Sequence, residues 1–500
     1  MSSDRDAPDL KSPTKRTHVE SEKGLGASKI QDGEGRLSAL KEPHRVALLS
    51  QNALLVSDDL GQRKASPLAA SIDSAMGWEA FLRADDPAKE RAQYGQIILD
   101  LHSPLPPFWD LLRALEGYLL MGGGLILEGM SLGDFSGANT RFSEPQAHLI
   151  ALLRLVGFTV EAPIGEESQD VTAFLLSRRG YPRWRLQEVR PEDVNEALEL
   201  FQRVFKSEIS RAFWAWKYGE GRGHSIVARA SSGALVAHYG ASRRRLLWRG
   251  QAVLGLQIGD VMVDSQERGV LSHQGAFFKV AAAFQESYYG YTRRFEIAYG
   301  FPNQRAMRVA ERLSLYKKVD RILEVRWPNR ARRRFTLTKS QLITAASYSS
   351  GIPDQLWGSM RENLKDQLLV IRDGAYLRFR YRDHPEGGYE GYLITHRITR
   401  RPIGWVVLKE EEDHVRLMDI VARPQEISWV IESVRQRFSQ THQKALRAWI
   451  TPAQMPYYQS PEAQVSETNI EIPTHALTRG IPPEELEGRW WVSMGDTDFL

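Results

Sequence analysis

Three short stretches of the 500-residue chain occur twice, in the same order, and this repetition constrains the fold more than any other feature. Partner stretches share their aromatic, apolar and charged character, and the spacing between partners drifts only slowly along the chain. The pairs are 213–218 with 376–381, 260–267 with 419–426, and Tyr299 and Pro302 with Trp449 and Pro452. Self-similarity that keeps its order indicates repeated structural units. We therefore predict two copies of one α/β unit, residues 181–330 and 335–500.

The sequence before these units divides into two parts. Residues 1–42 are rich in Ser, Lys, Asp, Glu and Gly and almost lack aromatic residues, so they are expected to form a disordered arm. Residues 43–180 alternate apolar strands with helical stretches, which is typical of an α/β domain around a buried sheet. We expect a strand ending near Asp100, a helix, a glycine turn at 122–124, a strand, a second helix and closing strands.

That order of elements resembles the C-terminal half of class I S-adenosylmethionine-dependent methyltransferases and implies a Rossmann-like domain. Cofactor binding in that family requires a glycine-rich loop after the first strand, because side chains there would collide with the ligand. The corresponding sequence, Ser50-Gln51-Asn52-Ala53, contains no glycine. We therefore expect this domain not to bind S-adenosylmethionine.

The first repeated unit carries the residues from which chemistry can be argued. Its pattern predicts strands and helices at 184–189, 191–205, 225–230, 235–240, 259–263, 275–288, 295–299 and 303–313. This order resembles the GNAT superfamily of N-acyltransferases. The predicted fold class is therefore α/β: a Rossmann-like N-terminal domain followed by two tandem GNAT-like α/β units.

The GNAT resemblance implies a donor site for acetyl-CoA. In that family the backbone N–H groups of a turn at the start of a helix bind the pyrophosphate, since a helix N-terminus concentrates unpaired donors. Here Leu271 and His273 stand where the family has small residues. The residues that the resemblance assigns to donor binding are Val261, Met262, Val263, Arg268, Gly269, Val270, Leu271, Ser272, Gly275 and Asn303.

Amine acylation needs a base for the attacking amine and an acid for the leaving thiolate. Asp260 on the central strand is the first candidate base, although its twin Asp419 in the second unit favours a structural role for both. His238 is a second candidate, as base or relay, against the alternative of a hydrogen-bonded core histidine. The family's acidic tyrosine falls on Ala310, so Tyr316 is the nearest replacement, with a packing role as its alternative.

The second unit is not expected to bind CoA, because its turn at 426–429 has no glycine. We expect it to complete the acceptor cleft or to stabilise the first unit. Residues 259–316 resemble a GNAT subgroup associated with bacterial surface-polysaccharide genes, which implies an amino-sugar acceptor. No His, Asp and Glu cluster has metal-ligand spacing, so no metal is expected.

Composition excludes several classes of protein. Without cysteine the chain has no disulfide, thiolate metal cluster or cysteine nucleophile. The longest apolar run, 118–127, is shorter than the ~20 residues of a membrane span, and the acidic N-terminus does not resemble a targeting signal. A net charge of +4 does not indicate nucleic-acid binding. We expect a cytoplasmic protein with a small-molecule acceptor.

The leading hypothesis is an N-acyltransferase that moves an acetyl group from acetyl-CoA to an amine by direct attack in a ternary complex. Two alternatives remain open. The departures from both family patterns suit a non-catalytic scaffold, and paired GNAT-like units also occur in FemAB-type enzymes, which transfer amino acids from aminoacyl-tRNA. The sequence does not determine the acceptor or the oligomeric state.

Overall fold

The computed structural model describes most of the chain from residue 53 onward. The described residues are 53–56, 74–76, 81, 94–100, 107–128, 132–133, 141–142, 144–164, 173–177, 182–269, 272–289, 295–329, 336–441, 444–477 and 480–497. The expected arm at 1–42 and the positions of Val270 and Leu271 lie outside these ranges.

The N-terminal region forms a six-stranded sheet with helices beside it. Its elements are β1 (Ala53–Val56), β2 (Ser74–Met76), β3 (Tyr94–Asp100), α1 (Phe108–Tyr118), β4 (Leu119–Glu128), β5 (Leu132–Gly133), β6 (Arg141–Phe142), α2 (Glu144–Leu155), β7 (Thr159–Ile164) and β8 (Ala173–Ser177). The strand order is β2-β1-β3-β4-β8-β7, and β5 pairs separately with β6. The first four strands run parallel, and β8 is antiparallel to both neighbours.

Continuous apolar runs explain the buried strands of this sheet. Residues 97–99 and 125–127 are fully buried, as expected for central strands of a mostly parallel sheet. The sequence placed a turn at glycines 122–124, but they lie inside β4. The register between β3 and β4 shifts there from Tyr94↔Leu119 to Gln96↔Gly124, so the extra residues form an irregularity within the strand.

The rest of the chain builds one 13-stranded sheet. Its first ten elements are β9 (Trp184–Glu188), α3 (Val194–Phe205), α4 (Arg211–Tyr218), β10 (Gly223–Ala230), β11 (Leu235–Trp248), β12 (Gln251–Val263), α5 (Ala276–Tyr288), β13 (Ile297–Tyr299), α6 (Gln304–Arg312) and β14 (Tyr316–Trp327). Side-chain caps start two of the helices: Ser210 Oγ accepts from Phe213 N at α4, and Asn303 Oδ1 accepts from Ala306 N at α6.

The second set of elements follows after residue 335. They are β15 (Thr338–Leu342), α7 (Ile352–Glu362), β16 (Leu369–Val370), α8 (Gly374–Leu377), β17 (Tyr389–His396), β18 (Pro402–Glu410), β19 (His414–Ala422), α9 (Ile427–Thr441), β20 (Ala445–Ile450), α10 (Met455–Tyr458), β21 (Gln464–His475) and α11 (Pro483–Leu486). A one-turn 3-10 helix, Met494–Asp496, follows near the C-terminus.

The strand arrangement of the large sheet is nearly symmetric about its centre. It is β9-β10-β11-β12-β13-β21-β14-β20-β19-β18-β17-β15, with β16 paired to β11. On each side an antiparallel meander leads to one parallel pair, β12 with β13 and β19 with β20. The last strand of each segment crosses to the other segment: β21 pairs with β13, and β14 pairs with β20. The two segments therefore fold around each other in one sheet.

The N-terminal region packs onto α5. One continuous core contains its buried apolar residues together with those of α5 and strands β9–β13. At this contact His148 Nδ1 lies 2.6 Å from Glu286 Oε2. A second core fills the half of the sheet around β17–β20. Among the described residues, no helix is long and apolar enough to span a membrane.

Candidate active site

Two parallel strands separate in the middle of the sheet. The pairing of β12 with β13 runs from Gly255↔Ile297 to Gln257↔Tyr299 and then stops. On its other side β12 bulges, because its register with β11 passes from Gly259 to Met262 while β11 advances by only two residues. Asp260 lies in the bulge in a left-handed conformation, φ 49°. Such a backbone is costly for a non-glycine residue and marks a position held by its surroundings.

The gap between the two strands opens into a cavity of about 700 Å³. Its walls come from the end of α3 and the following linker, from the bulge in β12, from the β13–α6 connection, and from residues after 335. Both segments of the large sheet therefore line it. The lining residues include Asp260, Val261, Phe277, Tyr289, Gly300, Asn303, Tyr316, Glu386, Thr474 and His475.

Asp260 is fixed by two residues of α4. Its Oδ2 accepts a hydrogen bond from Tyr218 Oη at 2.5 Å and lies 2.7 Å from Lys217 Nζ. Lys217 is buried, and the Asp260 side chain keeps 10% exposure toward the cavity. The carboxylate is thus oriented from behind while one edge remains available to a ligand.

His238 lies behind the bulge and does not line the cavity. Its Nδ1 is 2.6 Å from the Asp260 carbonyl oxygen, which can only accept, so Nδ1 carries the proton. The ring is fully buried against Trp214 and Tyr218. Burial lowers the pKa of His238, and the contact with the Asp260 carbonyl opposes this effect. These contacts suit a residue that holds the bulge in place.

Tyr316 begins β14 and faces the cavity floor. Its hydroxyl is hydrogen-bonded to the hydroxyl of Tyr239 on β11. Burial raises the pKa of Tyr316 well above its ordinary value, so its proton is retained at neutral pH. Ala310, which occupies the register of the family's tyrosine, is fully buried in α6.

Sequence reasoning missed a polar cluster on the same floor. His475 and Thr474 end the exchanged strand β21, and Tyr289 follows α5. Within the described residues, both His475 ring nitrogens, Thr474 Oγ1 and Tyr289 Oη are buried without a hydrogen-bond partner. Desolvation lowers the pKa of His475 to about 4, so the ring is neutral at pH 7. Buried polar atoms usually have partners, so this cluster points to a polar ligand or water.

The residues expected to bind the donor surround the start of α5. Arg268 Nε donates to the Val263 carbonyl at 2.9 Å, and Gly269 has φ 117°. Ser272 Oγ accepts from Gln274 N, and Gly275 is the N-cap of α5 without a side-chain cap. The first N–H groups of this helix thus have no capping side chain.

The remaining predicted donor residues divide between cavity and core. Val261 and Asn303 line the cavity. Met262 is fully buried and packs with Leu200, Val227 and Leu235. Its side chain therefore belongs to the core.

The equivalent place in the other half of the sheet is filled. Pairing of β19 with β20 stops at Leu417↔Ala448, and the 3-10 turn Met494–Asp496 packs there. Asp419 accepts from Tyr381 Oη at 2.7 Å, in the way that Asp260 accepts from Tyr218. Its other oxygen is 2.6 Å from Arg372 Nε, and Arg372 also pairs with Asp496 at 2.6 Å. Among the described residues, no group of three or more His, Asp or Glu could hold a metal ion.

A comparison with protein families matches residues 185–309 to a model described as an acetyltransferase (GNAT) domain. These residues form a GNAT acetyltransferase domain. The match extends from β9 into α6 and includes the bulge at Asp260 and the start of α5. The GNAT domain makes the protein an acyltransferase, which confirms that part of the sequence-based prediction. No curated protein matches the chain.

Solved structures with a similar course of the chain include other acyltransferases. A probable N-acyltransferase of Enterococcus faecalis V583 has 13% identity and a TM-score of 0.46 over 61% of this chain and 74% of its own. A GCN5-related N-acetyltransferase of Anabaena variabilis has 12% identity and a TM-score of 0.44 over 59% and 73%. Saccharomyces cerevisiae N-myristoyltransferase with bound myristoyl-CoA has 10% identity and a TM-score of 0.41 over 74% and 94%. TM-scores this low carry no functional argument.

Proposed function

We propose that the protein is an N-acyltransferase that transfers an acetyl group from acetyl-CoA to an amine bound in the cavity of the GNAT domain. The observation that carries this proposal is the separation of β12 from β13 at the bulge of Asp260, beside the uncapped start of α5. An acyl-CoA donor needs such a gap, since main-chain groups freed from strand pairing can bind its pantetheine amides and its thioester carbonyl.

The donor enters along the gap with its pyrophosphate at the start of α5. The first N–H groups of α5, which follow Gly275 and have no side-chain cap, bind the phosphates. Val270 and Leu271, which the sequence assigned to donor binding, lie outside the described residues. Gly300 keeps the gap open, because a Cβ at that position would lie 3.2 Å from the Ile258 carbonyl oxygen. Val261 and Asn303 contact the pantetheine arm in this arrangement.

Asp260 binds the acceptor's ammonium and takes one proton from it. The amine nitrogen then forms a bond to the thioester carbon, and the carbon–sulfur bond breaks. Tyr316 donates a proton to the leaving sulfur, and Tyr239 stabilises the resulting phenolate through the hydroxyl pair. The second proton of the ammonium returns Tyr316 to its neutral form, and Asp260 releases the first proton to solvent, which restores the starting state of the site. His238 holds the Asp260 carbonyl and acts as a positioning residue.

The acceptor is proposed to be a hydroxylated amine such as an amino sugar, consistent with a role in polysaccharide biosynthesis. The carboxylate of Glu386 at the cavity wall suits a cationic amine. The uncharged groups of Tyr289, Thr474 and His475 on the floor suit hydroxyls, because each lacks a partner in the described structure.

The same proposal includes the division of the chain into domains. The strand order that reads alike from both ends supports two GNAT-like units, 181–330 and 335–500, of which only the first takes a donor. The mostly parallel strand order of the N-terminal sheet supports a Rossmann-like domain within 43–180. The alternative is a scaffold without catalysis, and a measurement of acetyl-CoA binding distinguishes the scaffold from the enzyme.

The test is isothermal titration of acetyl-CoA into the full-length protein, followed by thiol release with a panel of amines and amino sugars. We expect micromolar binding by the wild type and at least a tenfold loss in Gly300→Val, which narrows the gap. Gly358→Val on α7 is the matched control, because nothing lies within 4 Å of a Cβ there. Absence of binding at millimolar acetyl-CoA would overturn the proposal in favour of the scaffold.

A further inference from the structure

A second cavity, of about 460 Å³, lies between the N-terminal region and the start of α5. Its lining includes Arg154 at the end of α2, Arg183 just before β9, and Gln274 and Lys279 beside the helix start. The cavity joins two regions that are far apart in sequence.

The lining of this second cavity is positively charged. It contains three cations and, among the described residues, no carboxylate. Arg183 is already paired with Glu267 at 2.8 Å and lies over the ring of Trp184. Arg154 and Lys279 have no ion-pair partner in the described part of the chain.

Lys279 is the less exposed of these two cations. It is half-buried, and desolvation lowers its pKa. Holding a partly buried ammonium without a counter-ion is unfavourable, so an anion in the cavity would offset the cost.

The start of α5 separates this cavity from the first one. Phe277 lines the cavity of the candidate active site, whereas Gln274 and Lys279 line the second cavity. A ligand that reaches from one to the other must pass the start of α5, whose first N–H groups have no capping side chain. A long molecule with a thioester at one end and phosphates further along fits that path.

We infer that the second cavity binds the phosphate monoester on the nucleotide of the acyl-CoA donor, through Arg154 and Lys279. The N-terminal region thereby supplies part of the donor site. This inference rests on the proposed function and adds the nucleotide end of the donor to it. A dianionic monoester matches the charge of the two cations, and the arginine fork can bind two of its oxygens.

The experiment compares acetyl-CoA with acetyl-dephospho-CoA, which lacks only that monoester, by isothermal titration into the full-length protein. We expect the wild type to bind acetyl-CoA at least tenfold more tightly than the dephospho form. Arg154→Gln and Lys279→Gln should each weaken acetyl-CoA about tenfold and leave the dephospho form unchanged. Arg154 is exposed, so its replacement does not disturb the core.

Arg185→Gln is the control, since Arg185 is an exposed arginine nearby that pairs with Glu116 at 3.4 Å. It should change neither affinity. Equal binding of the two donors by the wild type, or equal weakening of both in the variants, would overturn this inference while the proposed function stood. Failure of both donors to bind would overturn the proposed function itself and this inference with it. Binding of uridine diphosphate that Arg154→Gln abolishes would instead assign the cavity to a nucleotide-linked acceptor.

Discussion

The two halves of the large sheet hold matching carboxylates in opposite settings. Asp260 and Asp419 each lie where a parallel strand pair ends, and each accepts a hydrogen bond from a tyrosine on a preceding helical turn. Asp260 faces a cavity of about 700 Å³. Asp419 faces the chain itself, because the turn Met494–Asp496 packs against β19 and β20.

The difference shows how one backbone arrangement serves two purposes. In the filled half, charged groups pair with one another: burial alone would lower the pKa of Arg372, but the carboxylates of Asp419 and Asp496 raise it. In the open half, the floor offers uncharged polar groups that lack partners among the described residues. We conclude that the filled half contributes stability and the open half is free to bind ligands.

The largest expected effect comes from Asp419→Asn. The substitution removes one of the two charges that balance Arg372, whose side chain is 1% exposed. Breaking a buried ion pair in this way typically costs 3–5 kcal/mol, so we expect a loss of about 4 kcal/mol in the free energy of unfolding, measured with urea at pH 7.

Asp383→Asn is the control, because the Asp383–Arg382 pair is exposed to solvent and should contribute little to stability. If Asp419→Asn were as stable as the wild type, the ion-pair network would not hold the filled half together.

Gly495→Ala tests whether the filled half tolerates any added volume. An alanine Cβ would lie 1.9 Å from Tyr381 Oη and 2.9 Å from the Met418 carbonyl oxygen, so the turn must move. We expect destabilisation of about 3 kcal/mol by urea unfolding, at the upper end for overpacked cores. Gly358→Ala, with open space around it, should be neutral or slightly stabilising. A harmless Gly495→Ala would mean that the turn packs loosely against the strands.

The open half should respond to pH through His475. Its pKa of about 4 lies below the ordinary value of 6.5, so the unfolded chain binds a proton between these values and the folded protein does not. Stability is therefore lost as pH falls from 6.5 to 4, by about 3 kcal/mol at most.

His475→Gln removes this contribution, and we expect its stability to fall less than that of the wild type over that interval, measured by urea unfolding at several pH values. His396→Gln on β17 is the comparison, since His396 is only half-buried. Parallel pH profiles for wild type and His475→Gln would show that His475 is not held neutral by burial.

Asp260→Asn tests whether Asp260, unlike Asp419, takes part in catalysis. We expect kcat to fall about 100-fold with little change in acetyl-CoA affinity, because a general base contributes 10²–10⁴ in rate. Asp419→Asn should keep the kcat of the wild type for the folded fraction, although it is the less stable protein. Equal loss of activity in both variants would break the distinction between a catalytic and a structural carboxylate.

Much of the local structure could be predicted from the sequence. Apolar periodicity and caps placed α5 and α6 within one residue of their observed bounds and α3 within three, and the GNAT pattern was visible without knowledge of the fold. Strand ends were less predictable: β12 was expected from 259 but begins at Gln251, because its partner β11 extends along the same sheet. The glycines at 122–124 resembled a turn but lie within β4.

The candidate site was predictable only in part. Asp260 and Tyr316 were named from the sequence and line one cavity. His475 was missed because a lone histidine at a strand end carries no local signal, and its strand reaches the site only by crossing to the other half of the sheet. Arg154 was missed for a similar reason, since α2 meets α5 through tertiary packing alone.

The sequence by itself determined the order of strands and helices and the GNAT character of residues 185–309, because periodicity, caps and turns depend on neighbouring residues. The tertiary structure decided which half of the sheet is open. That choice depends on where residues 473–475 and 490–497 pack against strands far away in sequence, and no local pattern encodes such contacts. Of the two matching aspartates, Asp260 therefore lies in a cavity and Asp419 lies in a core.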